Sequence, residues 1–256
     1  MANFKFNRFN EDKNLFVILS VIITLISLLM LLVAVCGYRY EFLSIKFSLL
    51  VLTKYGVYAS IIATALSLVA FGYSFKIFDR FFSIIISILS FVVNVTIITF
   101  FYNNIIALKS NPMINDVSTS YYDIIEYRIY RNHNLPSDEH KLLQKFGGFK
   151  MPNYDLSPLL INNKTKDQVF SESLKITISM GLVVTYNNLE EGIIEAVDTS
   201  FWYGFKDDMI IRIEQLISDD IIVDVRSASR VGRSDFGKNV IRIRDFLEKL
   251  NNNILN

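Results

Sequence analysis

Three long apolar runs without a charged side chain dominate the first half of the chain. They cover Leu15–Cys36, Tyr55–Phe75 and Phe81–Tyr102. Each run reaches the roughly 20 residues that a helix needs to cross about 30 Å of hydrocarbon, and the first run is too long for a signal peptide. The pattern predicts a membrane α-helical part with three transmembrane helices within residues 1–110.

Small and polar residues inside these runs predict how the helices pack. The second run carries a stripe of small residues, Ala59, Ala63 and Ser67, with Gly56 and Ser60 nearby. Small residues at this spacing let helix backbones approach closely, and packing within the bundle is favoured over a dedicated dimer contact. Asn94 is the strongly polar residue at depth in the third run. We expect it to hydrogen-bond a neighbouring helix rather than to mark an ion pathway.

The second half of the chain is polar and then regular. Residues 111–160 are predicted to be a linker with an irregular segment, and residues 161–256 an α+β domain. Apolar residues at helical spacing predict helices over Thr165–Met180 and Asp235–Leu250. Between them lie four strand-like runs, Leu182–Tyr186, Gly192–Phe201, Asp208–Ile217 and Asp220–Ser227. Because the connections are short, the predicted fold is an antiparallel four-stranded sheet with flanking helices.

Alternation in the last two predicted strands assigns their side chains to two faces. Apolar residues at every second position, Met209, Ile211, Ile213, Ile221, Val223 and Val225, predict one face covered by the helices. The intervening charges predict a lattice of opposite charges on the other face. A cross-strand pair such as Arg212 with Asp224 is expected to be a solvated salt bridge of about 0.2–1 kcal/mol.

Composition agrees with a membrane protein and argues against nucleic-acid binding. The chain is 52% hydrophobic and has a formal net charge of +1. Residues 1–111 hold nine basic and four acidic residues, whereas residues 112–256 hold seventeen basic and twenty-one acidic ones. An acidic C-terminal half lacks the basic footprint that nucleic acid requires. The single cysteine, Cys36, excludes an internal disulfide, and His133 and His140 lack the cysteine neighbours typical of a zinc site.

Basic residues near the ends of the predicted spans indicate the orientation in the membrane. The N-terminal side carries five, Lys5, Arg8, Lys13, Lys76 and Arg80, and the opposite side carries four, Arg39, Lys46, Lys54 and Lys109. This difference places the N-terminus in the cytoplasm and the C-terminal domain outside the plasma (inner) membrane. The lipid bilayer is the expected partner, and the oligomeric state is left open.

The stretch VDVRSASRVGRSDFGKN, Val223 to Asn239, concentrates the candidate chemistry. In a binding interpretation, the forked guanidinium groups of the arginines, the serine hydroxyls and the start of the last helix together bind a phosphate or a carboxylate. Its candidate residues are Arg226, Ser227, Ser229, Arg230, Arg233, Ser234 and Arg242. An anionic lipid headgroup or another envelope component is the expected ligand.

A structural interpretation uses the same stretch for capping, turning and internal ion pairs. Ser234 or Asp235 caps the helix, and Gly232 and Gly237 allow the tight turn. The arginines pair with Asp207, Asp208 and Asp224. The residues assigned to this structural motif are Gly204, Asp207, Asp208, Arg212, Asp224, Gly232, Asp235, Gly237 and Asn239. If an aspartate engages every arginine of the stretch, the anion site fails.

Catalysis is the less favoured interpretation. The two histidines lie outside the stretch, and the adjacent Asp207 and Asp208 point to opposite faces of a strand, so they do not form an acid–base pair. A metal held by Asp207, Asp224 and Asp235 is the remaining route to chemistry, but neither a metal nor a cofactor is predicted. The favoured function is non-enzymatic binding of an anionic envelope ligand or partner. The alternative is a hydrolase or transferase acting on envelope lipid or polymer.

Two adjoining motifs carry a family resemblance. IIEAVDTSFWYGFKDDMIIRIE (residues 193–214) and VDVRSASRVGRSDFGKNVIRIRDFL (residues 223–247) resemble the family known as domain of unknown function 1499. INDVSTS (Ile114–Ser120) and YDLSPL (Tyr154–Leu159) are similar to its upstream motifs, although Asn115 replaces the usual histidine and Ser120 the usual aspartate. The resemblance covers most of residues 112–250 and implies a membrane-anchored domain, but it implies no reaction.

Overall fold

The structure is a computed structural model that describes residues 14–76, 80–110, 113–120, 123–130, 132 and 156–255. The chain forms two compact units, Met1–Ile106 and Ala107–Asn256. The first unit is helical, and the second is built on a β-sheet. His133, His140 and the basic residues of the N-terminal tail lie outside the described residues.

Three helices, one for each predicted apolar run, form the N-terminal part. They are α1 (Leu15–Arg39), α2 (Lys54–Ser74) and α3 (Arg80–Ser110), and a π-helical segment, Phe47–Thr53, leads directly into α2. All three are long and apolar enough to cross a membrane, with Phe47–Ser74 counted as one helical stretch. α1 and α3 extend past the predicted ends, most of all α3, because Asn103 and Asn104 do not interrupt it, whereas α2 ends one residue before the predicted Phe75.

Polar groups lie inside this helical part and large apolar side chains lie outside. Ser27 of α1 donates a hydrogen bond to the carbonyl oxygen of Gly56 at 2.8 Å, and its hydroxyl lies 2.7 Å from that of Ser60. Asn94 of α3 donates to Thr24 Oγ1 of α1 at 2.7 Å, which confirms its expected role between helices. The buried stripe of α2 consists of Gly56, Ser60, Ala63, Ser67, Ala70 and Ser74, so small residues do pack within the bundle.

The C-terminal sheet has six strands rather than the predicted four. Their bounds are β1 (Asp116–Ser118), β2 (Leu159–Ile161), β3 (Val183–Asn188), β4 (Ile193–Thr199), β5 (Lys206–Gln215) and β6 (Ile221–Ser229). The four predicted strands form an antiparallel meander, β6-β5-β4-β3, as expected. The two additional strands come from residues 111–160 and pair side by side with β6. Each has three residues, which is too short for an alternating pattern to be visible.

Two helices cover one face of the sheet. α4 (Lys166–Ser179) begins with a capping box, in which Thr165 and Gln168 bind each other's backbone N–H groups. α5 (Lys238–Leu255) begins three residues after the predicted start. The predicted apolar face of the sheet, including Met209, Ile211 and Val223, forms one core with these helices.

The other face of the sheet is also covered, so the predicted solvated lattice of charges is wrong. Ile125 and Tyr127, from the segment 123–130, pack there against Ile193, Ile210 and Ala228. Charged residues beneath this segment are consequently buried, whereas Glu214 at the end of β5 stays exposed. Asp224 is 3% exposed and Arg226 is 1% exposed.

Gly192 provides a test of the turn that joins β3 to β4. Its φ is +70°, and an added Cβ would lie 2.1 Å from the carbonyl oxygen of Ile213 in β5. Gly181, which ends α4, has a φ of +82° but no atom within 4 Å of such a Cβ. We expect Gly181→Ala to cost about 1–2 kcal/mol through backbone strain. Gly192→Ala should cost more, because β5 must also move.

The free energies of unfolding are to be measured by urea titration of the full chain in detergent, followed by circular dichroism. Equal losses in the two variants would contradict a close contact between Gly192 and β5.

Candidate functional site

The predicted candidate residues converge where β6 ends and α5 begins. β1 enters the sheet here, with Ser229 N–H donating to the carbonyl oxygen of Asn115 at 2.8 Å. We call the paired arginines and aspartates of this region the signature network. Its arginines are Arg212, Arg226, Arg230 and Arg242, and its aspartates are Asp116, Asp198, Asp207, Asp208 and Asp224.

Arg226 is the most deeply buried member of the network. It binds Asp116 of β1 through two parallel hydrogen bonds, Nε–Oδ1 at 3.0 Å and Nη2–Oδ2 at 2.8 Å. Its Nη1 donates to the carbonyl oxygen of Ile125 at 2.7 Å, and its guanidinium lies 5.0 Å from the ring centre of Tyr127. Burial alone would lower the pKa of Arg226, but the hydrogen bonds and charge of Asp116 outweigh it and raise the pKa. Arg226 is therefore a permanent internal cation that holds two segments on β6.

Arg230 forms a second two-pronged pair on the same face. Its Nε and Nη2 each lie 2.7 Å from a carboxylate oxygen of Asp208, and its guanidinium lies 4.3 Å from the ring centre of Tyr130. The hydrogen bonds with Asp208 raise the pKa of Arg230. Tyr127 donates to the carbonyl oxygen of Asp208 at 3.1 Å, and burial raises the pKa of its hydroxyl well above the usual range.

Arg242 lies in the first turns of α5 and binds carboxylates on the opposite face of the sheet. Its Nη2 lies 2.6 Å from Asp198 Oδ2 and 2.8 Å from Asp207 Oδ2, so it fastens the helix to β4 and β5. Its Nη1 donates to Ser227 Oγ at 2.9 Å and to the side-chain oxygen of Asn239. Asp207 and Asp208 thus bind arginines on opposite faces, as their adjacency in a strand predicts.

Arg212 and Asp224 form the predicted cross-strand pair, at 3.0 Å. Arg212 also reaches Asp123 at 2.7 Å, and Thr119 donates to the other oxygen of Asp224 at 3.0 Å. The pair is therefore part of the contact between β5, β6 and the covering segment. The carboxylates considered for a metal bind different partners, since Asp207 binds Arg242, Asp224 binds Arg212 and Asp235 binds backbone N–H groups.

Asp235 closes the start of α5. Its carboxylate accepts from the N–H of Gly237 at 2.9 Å and of Asn239 at 2.6 Å. Burial raises the pKa of Asp235, although these hydrogen bonds act in the opposite direction. Of the two predicted caps, Asp235 fills the role, and Gly232 and Gly237 have the positive φ expected of turn residues. The helix start that would receive an external anion is thus already occupied by a carboxylate of the chain.

The serines and Asn239 connect the two halves of the site. Ser227 Oγ lies 2.8 Å from Asn239 Oδ1, and Asn239 Nδ2 donates to Ser229 Oγ at 3.2 Å and to the carbonyl oxygen of Asn115 at 2.9 Å. Ser234 Oγ accepts a hydrogen bond from the N–H of Phe236 at 3.3 Å. Among the predicted anion-binding arginines, Arg233 is the one whose side chain is exposed, and it makes no ion pair with another described residue.

Several residues of the site were missed from the sequence. Asp116 belongs to the quoted INDVSTS motif, and an aspartate in that motif was the available signal for a partner of Arg226. Glu195 is 3% exposed, and its carboxylate accepts from the N–H groups of Arg128 and Ile129, the latter at 3.0 Å. Burial raises the pKa of Glu195. A buried glutamate that binds backbone groups of a distant segment produces no periodic pattern in the sequence from which its partner could be predicted.

Comparison of the sequence with known families finds a match over this part of the chain. The model of a family described as a protein of unknown function (DUF1499) matches residues 113–250, a little over half of the chain. The matched residues begin where the chain enters β1 and end at Leu250, which is buried in α5. No curated protein matches the chain.

The Arg226–Asp116 pair yields a stability prediction. We expect Asp116→Ala to lower the free energy of unfolding by about 3–5 kcal/mol, because it leaves a buried guanidinium without its counter-charge. Combining it with Arg226→Met should recover part of that loss, because the buried charge is removed. Lys175→Ala breaks the exposed pair with Glu172 and should cost less than about 1 kcal/mol.

Urea unfolding of the full chain in detergent gives all three values. A double variant less stable than Asp116→Ala alone would contradict an unpaired guanidinium as the source of the loss.

Proposed function

The chain belongs to the DUF1499 family, and on that premise we propose that it is a multi-pass membrane protein whose C-terminal domain binds an anionic component of the cell envelope without catalysing a reaction. The observation that carries this proposal is the distribution of charge at the end of β6. The aspartates there are bound within the domain, whereas three neighbouring basic side chains, those of Lys206, Arg233 and Lys238, are exposed.

Membrane insertion is supported by the distribution of side chains in the helical unit, which is the reverse of that in a water-soluble protein. Its large side chains, such as Leu25, Leu29 and Leu32, are more than half exposed, whereas Ser27 and Asn94 are fully buried. In water such an arrangement would expose apolar surface on all sides of the bundle, whereas in lipid it places apolar side chains against hydrocarbon and lets buried hydroxyls and amides bind across the helices. The excess of basic residues on the N-terminal side favours a cytoplasmic N-terminus and an extracytoplasmic C-terminal domain.

A non-catalytic role is supported by what the signature side chains do. Arg226, Arg230 and Arg242 hold carboxylates of the chain, and the hydroxyl of Ser227 lies between Asn239 and Arg242. A serine nucleophile needs a neighbouring base with a free lone pair. The neighbours of Ser227 are instead an amide and a guanidinium, so the network stabilises the fold and leaves recognition to the exposed basic residues.

The orientation is testable by cysteine labelling in cells. In a Cys36→Ser background, we expect Ser218→Cys, in the β5–β6 turn, to react with a membrane-impermeant maleimide in intact cells. Lys5→Cys should react only after the cells are permeabilised. The reverse labelling pattern would place the C-terminal domain in the cytoplasm and exclude an envelope ligand.

The anion proposal is testable with phosphatidylglycerol and polyphosphate as probes for the full chain in a non-ionic detergent. We expect Arg233→Glu combined with Lys238→Glu to weaken binding of one or both probes by roughly tenfold or more, since each basic contact is worth about 1 kcal/mol and each reversal adds repulsion. Lys249→Glu, an exposed change further along α5, is the matched control and should leave binding unchanged. Equal affinity in all three proteins would overturn the anion proposal.

A further inference from the structure

The turn between β4 and β5 presents two aromatic side chains to the outside. Phe201 is 80% exposed, and Trp202, the single tryptophan of the chain, is 58% exposed. Their rings meet edge to face with centroids 5.2 Å apart. The turn beneath them is closed by backbone hydrogen bonds, from Ser200 N–H to the Phe205 carbonyl at 2.8 Å and from Gly204 N–H to the Ser200 carbonyl at 3.1 Å. Both rings therefore project from an ordered turn.

This end of the sheet is basic, and the opposite end is acidic. The β4–β5 turn lies beside the end of β6, because Arg230 N–H donates to the carbonyl oxygen of Lys206 at 3.0 Å. Lys206, Arg233 and Lys238 are exposed around it. The exposed charges that belong to the opposite turns are acidic, namely Glu190, Glu191, Glu214 and Asp219, although Arg128 pairs with Glu191 and Lys166 binds the carbonyl oxygen of Glu190 there. The ten residues of β5 separate the two ends by roughly 30 Å.

The aromatic end is also the end at which the chain arrives from α3. No charged residue occurs in α3 between Arg80 and Lys109, and the chain is hydrogen-bonded to the end of β6 at Asn115. Six residues span at most about 20 Å, and β1 is separated from β5 by two strand spacings, or roughly 10 Å. A membrane that contains the uncharged part of α3 therefore lies within reach of Phe201 and Trp202.

We infer that the Phe201–Trp202 turn, flanked by Lys206, Arg233 and Lys238, inserts into the headgroup layer of the same bilayer that holds the three helices. Tryptophan and phenylalanine place an apolar ring at the boundary of the hydrocarbon, and lysine and arginine pair with anionic headgroups beside it. The sheet then stands with its acidic turns away from the membrane. This inference rests on the proposed membrane insertion and identifies lipid as the anionic partner.

The basic residues around this surface and its short connection to α3 favour lipid over a protein partner. The exposed aromatic pair is flanked by basic residues from three different elements, β5, the β6–α5 connection and α5. A bilayer surface meets all three at once without requiring a complementary shape. The short connection to α3 allows the turn to reach that surface, so the encounter with lipid is intramolecular and the effective concentration of lipid is high.

The test uses the fluorescence of Trp202 in the full chain, reconstituted in phosphatidylcholine vesicles with and without phosphatidylglycerol. Vesicle flotation first establishes that the protein is inserted, which tests the underlying proposal separately. We then expect lipids brominated near the headgroup to quench most of the Trp202 emission, and iodide on both sides of the membrane to quench little of it. The control combines Trp202→Phe with Ile217→Trp, which moves the fluorophore to a fully exposed site at the acidic end. Its emission should respond to iodide and not to brominated lipid.

Each outcome decides the inference. Quenching of Trp202 in both kinds of vesicle supports insertion of the turn. It does so even if the experiment with phosphatidylglycerol and polyphosphate in detergent shows no anion binding. Quenching only with phosphatidylglycerol supports insertion driven by the basic residues. Iodide-accessible Trp202 in floated protein, or equal lipid quenching in the control variant, overturns it. Trp202 shielded from both quenchers also overturns it and indicates contact with a second copy of the chain.

Discussion

The pairing of Arg226 with Asp116 is the constraint on which the C-terminal unit depends. A guanidinium that is 1% exposed is tolerated only with a carboxylate and further acceptors around it. Asp116 and the carbonyl of Ile125 supply those acceptors from a segment about a hundred residues earlier in the chain. Satisfying one buried cation therefore brings β1 to the edge of the sheet and the segment 123–130 over its second face. Two buried faces, rather than one, result from that requirement.

The residues with a clear periodicity could be predicted from the sequence, and those with long-range partners could not. The apolar runs predicted the three helices. The alternation around Ile211 and Val223 predicted the face of the sheet that the two helices cover. Arg212 and Asp224 were paired correctly because antiparallel neighbours follow from a short turn. β1 and β2 were missed because three residues contain too little alternation. The partner of Arg226 was missed because several aspartates were equally plausible when only sequence distance was known.

The two units use polar groups in opposite ways. In the helical unit, hydroxyls and the amides of Asn14 and Asn94 lie between the helices, and large apolar side chains form the surface. In the C-terminal unit, apolar side chains form the main core, and the buried charged groups bind either an opposite charge, as Arg226 does, or backbone N–H groups, as Glu195 and Asp235 do. The first arrangement is suited to lipid and the second to water. The DUF1499 match covers most of the second unit.

The division of the β6 edge between two short strands has a consequence for self-association. β1 covers Arg226–Ala228 and β2 covers Ile221–Val223, while Thr119 binds both the N–H and the carbonyl of Val225 between them. Within the described residues, β3 is then the open edge, and its pairing with β4 shifts register between Val184 and Tyr186. An irregular edge is a poor template for strand addition. The domain can thus be crowded on a surface at high density without joining its neighbours into continuous sheets.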